Sequence, residues 1–242
     1  SLFISTSWNH HLANKYQTNE LNVRREYFQY LFLSYFYQQP KAANIYFKGG
    51  TALRILHNSP RFSEDLDFNC AFIKFKEIED LLLDTLAQIE KENIHFNLKE
   101  AKQTSGGFFA IISFEVFEQP VEVQIEISLR EEEKKGEVVA VINNDYVPSF
   151  NIVSVTEDQL VFGKIRALLD RKKPRDFYDL YFILRSHLVV AQKGEVLPKV
   201  LKALNESNLN FERELKQYLP KSHWAIIKDF KENLKKELER FI

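Results

Sequence analysis

Apolar positions recur along this chain with two different periods. Residues 7–38 read as mostly helix, with a polar first half (Asn19, Glu20, Asn22, Arg24, Arg25, Glu26) and an apolar, aromatic second half that stops at Pro40. Residues 44–50 (NIYFKGG) form a short apolar run closed by two glycines, which predicts a strand and a tight turn, and residues 51–57 (TALRILH) predict a short helix. Residues 65–70 (DLDFNC) alternate carboxylate and apolar positions, the pattern of a half-buried strand. A helix is expected over 75–92, then strands around 94–99, over 108–116 (FFAIISFEV) and over 121–129 (VEVQIEISL). The run EEEKKGE at 131–137 reads as a solvated turn. After NIVSV (151–155) the pattern is helical to the end, where Trp224, Ile227, Leu234, Leu238 and Phe241 repeat at helical spacing and predict a packing helix.

This is the pattern of an α+β chain without internal repeats. A shift near residue 150 divides it into a mixed part, 1–150, and a helical lobe, 151–242, expected to complete a cleft. Its 242 residues suffice for a sizeable core. A formal net charge of −1 argues against a surface coated in positive charge, so any polyanion must be met by a local basic patch. No apolar run reaches the roughly 18–20 residues that span a bilayer. The first residues lack the basic and apolar regions of a signal peptide. Cys70, the lone cysteine, excludes an internal disulfide, reads as a small buried residue and suits a cytoplasmic location. The chain has no Met, so the initiator at least is missing.

The chemistry concentrates in residues 48–68. In a strand Asp65 and Asp67 share a face, about 6.5–7 Å apart at Cα, while Leu66 and Phe68 face the core. Two such acids can converge on a hard divalent cation; without one their repulsion raises a pKa. Taken alone, an ordinary solvent-facing strand explains the pair slightly better. The glycines shift that balance. Gly49 and Gly50 end a strand and open a helix at Thr51, where free N–H groups and the helix dipole favour a phosphate. Two-metal chemistry needs a third acid, and the 121–129 strand offers Glu122 and Glu126 equally.

Residues 157–184 hold a second cluster. Lys164 lies within the arc of Leu160, Val161 and Leu168, and either snorkels or reaches into a cleft. Lys164, Arg166, Arg171, Lys172, Lys173 and Arg175 are six cations in twelve residues, some of which could simply complement a helix C-terminus. Pro174 starts the next helix, so Asp176 reads locally as a cap. The six histidines show no zinc spacing, and no hydrolase triad is evident.

KGGTALRIL, RFSEDLDF, QIEISLR and GKIRALLDRKKPRDFYDLYFI occur in an order that resembles the AbiEii/AbiGii toxin family, the nucleotidyltransferase half of AbiE-like abortive-infection and toxin–antitoxin systems. The likeness runs from about residue 44 to 185. The family's usual Ser-x-Asp-Ile-Asp core is here Ser63-Glu64-Asp65-Leu66-Asp67. The resemblance implies a polymerase-β-like nucleotidyltransferase core, a nucleoside triphosphate donor, Mg²⁺ (or Mn²⁺) and an antitoxin partner. It prefers Glu126 to Glu122, giving Asp65, Asp67 and Glu126 as metal ligands. It gives Lys164 and Asp176 catalytic roles, the latter as the acid of an RDxxD motif that orients the acceptor or the lysine. Lys48, Gly49, Gly50, Thr51, Ser63 and Lys164 form the expected nucleotide site. Arg166, Arg171, Lys172, Lys173 and Arg175 form the expected surface for an RNA acceptor, with tRNA as the family-based expectation. A protein-nucleotidylating enzyme and a catalytically weak binding module stay open as alternatives.

Overall fold

The N-terminal helical stretch is two helices, α1 (Thr6–Lys15) and α2 (Glu20–Phe36). They separate where the Asn19 side chain accepts the Asn22 N–H at 2.9 Å and restarts the helix as its cap. In this computed structural model, which describes residues 5–70, 74–116, 119–129 and 137–242, α2 is the organising helix of the core. Its aromatic face meets the sheet: Phe28 stacks on Phe114 with ring centroids 4.2 Å apart, and Phe36 lies 5.5 Å from Phe68.

The next elements follow the expected order: β1 (Ile45–Lys48), α3 (Gly49–His57), β2 (Asp65–Cys70), α4 (Phe75–Lys91), β3 (Phe96–Thr104), β4 (Gly107–Phe114) and β5 (Val121–Leu129). Two further strands, β6 (Glu137–Ile142) and β7 (Phe150–Val155), complete a mixed seven-stranded sheet ordered β3-β4-β5-β2-β1-β7-β6. The sequence reading passed over β6, although its β-branched EVVAVI run is a strand signal. As an edge strand, β6 leaves Val139 and Val141 63% and 67% exposed. The turn expected at 131–137 lies outside the described residues, apart from the backbone of Glu137.

The expected division at residue 150 falls at the first residue of β7, a strand of the same sheet, and only helices follow Val155. These are α5 (Glu157–Arg171), α6 (Pro174–Arg185), α7 (Lys193–Glu206), α8 (Phe211–Leu215), α9 (Trp224–Lys228) and α10 (Phe230–Glu239), with short 3₁₀ turns between them. The C-terminal pattern is split at Asp229, but it packs as its apolar spacing requires: Ile227, Leu234 and Leu238 are buried, and Phe230 stacks on Tyr178 of α6. Cys70 is buried. No helix among the described residues is long and apolar enough to cross a membrane.

Strand pairing fixes the register of the chemistry. β1 runs antiparallel to β2 with Lys48 opposite Asp67, and β2 runs parallel to β5 with Asp65 opposite Gln124 and Asp67 opposite Glu126. Leu66 and Phe68 are fully buried. By alternation, Asp65 and Asp67 then project from the other face, beside α3 and α5.

Candidate active site

Asp65, Asp67 and Glu126 all line one cavity of about 220 Å³, together with Gly50, Arg61, Ser63, Lys164, Arg171, Arg175 and Asp176. Neighbouring strands stand about 4.8 Å apart, so the Asp67–Glu126 register brings their side chains side by side. Glu122, two alternations away, is ion-paired with Lys99 on the exposed surface and does not line this cavity. Alternation could not separate the two glutamates; register does.

Among the described residues, none of these three carboxylates has a hydrogen-bond or ion-pair partner. Burial and the neighbouring Asp67 charge push the Asp65 carboxyl up to about 6, against the weaker pull of Arg175. A group of oxygen acids in this state is suited to a hard divalent cation.

Gly49 is required by turn geometry and by contact, and Gly50 is set by contact alone. Gly49 has a φ of 84°, and a Cβ there would overlap the Asp67 carboxylate. On Gly50, a Cβ would stand 2.5 Å from Arg61 Nη2, 2.8 Å from Ser63 Oγ and 3.3 Å from Lys164 Nζ. Three polar side chains therefore converge over the first turn of α3, where backbone N–H groups are unpaired by helix geometry. The combination is an anion cradle beside the carboxylates. Thr51 takes a different part: its buried hydroxyl donates to the Asp65 carbonyl at 2.5 Å, tying α3 to β2. Lys48 lies half-buried at the rim, with Nζ 3.4 Å from Ser128 Oγ.

Beneath the cradle lies a feature that the sequence reading missed. Asp179 is 1% exposed and accepts from Arg61 Nε at 2.7 Å, Arg61 Nη2 at 2.9 Å and Lys164 Nζ at 2.7 Å. Burial opposes its charge, but the two cations outweigh burial and hold its carboxyl down at about 2. Arg61 is correspondingly stabilised as a cation, with its Nη1 also donating to the Phe62 carbonyl at 3.1 Å. Asp179 sits three residues after Asp176 and was eligible as the second acid of the RDxxD motif.

The expectation that Asp176 orients Lys164 needs correction. Its Oδ1 accepts from Arg171 Nη2 at 2.6 Å and its Oδ2 from the Lys173 N–H at 3.3 Å, which completes a capping box at the start of α6. The carboxylate that orients Lys164 is Asp179. Asp176 serves the helix start, as the local reading of Pro174 and its neighbours had it.

The basic stretch is divided by the α5–α6 turn. Arg166 and Arg171 line a larger adjoining cavity of about 420 Å³, which shares Asp67, Glu126, Lys164 and Arg171 with the smaller one. Gly49, Val155, Leu160, Phe162 and Ala167 give this larger cavity an apolar wall. Arg175 faces the carboxylates, whereas Lys172, in a left-handed conformation at φ 52°, and Lys173 are exposed at the turn.

Solved structures share this architecture. JHP933 from Helicobacter pylori superposes with a TM-score of 0.57 at 18% identity, covering 93% of each chain. MenT4, a nucleotidyltransferase toxin from Mycobacterium tuberculosis H37Rv, superposes at 0.58 with 16% identity, over 90% of this chain and 81% of its own. No curated protein matches the chain in sequence. The model of the nucleotidyl transferase AbiEii toxin family of type IV toxin–antitoxin systems matches residues 31–241. That match extends beyond 44–185, the span carrying the recognisable motifs, and takes in the C-terminal third of α2 and all the C-terminal helices. The chain belongs to the AbiEii family and is a nucleotidyltransferase of that toxin group.

Proposed function

Starting from membership of the AbiEii family, we propose that this enzyme transfers a nucleotide from a nucleoside triphosphate to a hydroxyl of an RNA acceptor, tRNA being the first to test, with a divalent cation held by Asp65, Asp67 and Glu126. The observation that carries this reading is the convergence, in one cavity, of three unpartnered carboxylates with the three side chains gathered over Gly50.

The donor set is all oxygen, and the Asp65 carboxyl is raised by burial and by the neighbouring Asp67; both fit Mg²⁺ or Mn²⁺. When bound, such a cation supplies charge neutralisation for the triphosphate. The chain's own residues do the rest. The α3 N-terminus, Ser63 and Lys164 hold the β- and γ-phosphates, with Arg61 behind them. The acceptor oxygen forms a bond to the α-phosphorus as the bond to the bridging oxygen breaks, and pyrophosphate leaves. Glu126, the most exposed of the three acids, takes the hydroxyl proton. Lys164 lies where the departing charge accumulates, and Asp179 is its positioning residue. The apolar wall at Val155, Leu160 and Phe162 suits a nucleoside, while Arg166, Arg171, Lys172, Lys173 and Arg175 border the route for the acceptor backbone. In this assignment the part C-terminal to residue 150 supplies one wall of the cleft. Catalysis is positioning and electrostatic stabilisation of an in-line displacement.

The test is incubation with each of four α-³²P-labelled NTPs, Mg²⁺ and total RNA or tRNA. Label should enter RNA with one NTP favoured, and EDTA should abolish it. Label in protein instead of RNA would replace the acceptor assignment by a protein hydroxyl, and transfer that survives EDTA would overturn the metal assignment.

A further inference from the structure

On the far side of α3 and α5 from the cradle, three residues from three elements come together. His57 is the last residue of α3, Glu157 the first of α5, and His187 lies two residues past the end of α6. One ligating atom from each lies within 4.8 Å of the others. The two imidazole rings are 5.6 Å apart at their centroids, and His187 Nε2 is 3.6 Å from Glu157 Oε1. Spacing in sequence hid the group, since its members are 100 and 30 positions apart.

We infer that His57, Glu157 and His187 form a binding site for a borderline divalent transition-metal ion, with Zn²⁺ the best match. Two imidazoles and one carboxylate select Zn²⁺, Co²⁺ or Ni²⁺ over Mg²⁺, which prefers oxygen ligands. Ligands about 2.0–2.2 Å from a tetrahedral ion stand about 3.3–3.6 Å apart, so small side-chain rotations close the present spacing. Side-chain exposures of 67% for His187 and 57% for Glu157 leave the ion a path from solvent and a fourth position for water.

The location gives the site a role. His57 is seven residues from Gly50 on α3, and Glu157 is seven residues from Lys164 on α5, each about 10 Å along its helix. α6, which carries Asp179, ends beside His187. The three helices that build the anion cradle thus have their other ends at this cluster, and an ion there ties them together. This inference is independent of the proposed reaction.

Tag-free full chain, stripped of metal and kept in millimolar Mg²⁺ to occupy the oxygen site, is titrated with Zn²⁺ by calorimetry and with Co²⁺ by visible absorption. The expected result is one ion per chain with micromolar affinity or tighter, and Co²⁺ d–d bands of a low-coordinate site. Saturating Zn²⁺ should raise Tm by about 5 °C or more. His187→Ala, an exposed substitution that spares the fold, and Glu157→Gln should each weaken binding at least tenfold, while Asp67→Asn should leave it unchanged. Binding that persists in His187→Ala, disappears in Asp67→Asn, or is absent from the parent chain would overturn the inference.

Discussion

Two groups of charge lie within a few residues of each other and are built on opposite principles. In the upper group Asp65, Asp67 and Glu126 share a cavity and, among the described residues, make no ion pair, and Asp65 has its carboxyl raised to about 6 by burial and its neighbour. In the lower group Arg61, Lys164 and Asp179 are almost fully buried, and every charge is matched by hydrogen bonds of 2.7–2.9 Å. Burying a charge is tolerated only with such pairing, whereas a solvent-facing acid can stay unpaired. The lower group is a foundation that holds Lys164 and Arg61 in place. The upper group gathers negative charge that the proposed divalent cation would balance. Fold stability and chemistry are therefore separable here by mutation.

The sharpest separation comes from removing one member of each. Asp67→Asn should lower nucleotide transfer at least ~1000-fold, on the scale of losing a principal transition-state contact, with Tm unchanged or slightly raised. Strong unfolding of this variant would erase the distinction between the groups. Asp179→Ala leaves Arg61 and Lys164 buried and uncompensated, and should cost roughly 3–5 kcal/mol in urea denaturation. A variant of unaltered stability would show that water replaces the carboxylate and that the foundation is dispensable.

A smaller effect sharpens the comparison through pH. The Asp65 carboxyl is raised in the folded chain relative to its ordinary value of 3.8, so the folded state holds the proton more tightly. Without metal, stability should fall as pH rises from about 4 through 6, by roughly 1–2 kcal/mol after allowance for solvent screening. Asp65→Asn should flatten that slope in metal-free denaturation curves between pH 4 and 7. The same proton competes with the cation, so Mg²⁺ affinity should decline below about pH 6. The mildest change is at the α5–α6 turn. Replacing Lys172 and Lys173 by Ala should reduce the slope of log K for tRNA binding against log salt by up to about 2 and spare NTP affinity. Superimposable salt series would confine those lysines to the helix junction.

How much of this was legible in the sequence differs between the two groups. Asp65 and Asp67 were visible because strand alternation is local, and the glycine pair because turn chemistry is local. Strand alternation left Glu126 as one of two candidates, and only the family resemblance preferred it, because a physical choice between it and Glu122 takes the register of β5 against β2. Arg61 and Asp179 were invisible as partners, because 118 positions separate them and no local pattern joins a loop arginine to an acid in the middle of α6. Lys164 was correctly suspected of leaving the polar face of α5, but Asp176, one of whose two expected roles was to orient it, lies three residues before its actual partner Asp179. The basic stretch read as a single surface because sequence does not show how a left-handed residue such as Lys172 turns one helix away from the next.

The 118-residue separation between Arg61 and Asp179 also bears on how the protein is made. During synthesis at about 5–20 residues per second, Arg61 leaves the ribosome about 6–24 seconds before Asp179 does. Asp65, Asp67 and Glu126, the proposed metal ligands, emerge in that interval, yet the lysine and arginine of the cradle lack the carboxylate that fixes them. A nascent chain accordingly carries its acids before it has a cradle to present a triphosphate to them. On the proposed reading, a ribosome-bound fragment that ends before Asp179 holds an incomplete cradle, whose two cations gain their buried counterion only once most of the polypeptide has entered the folding space outside the exit tunnel.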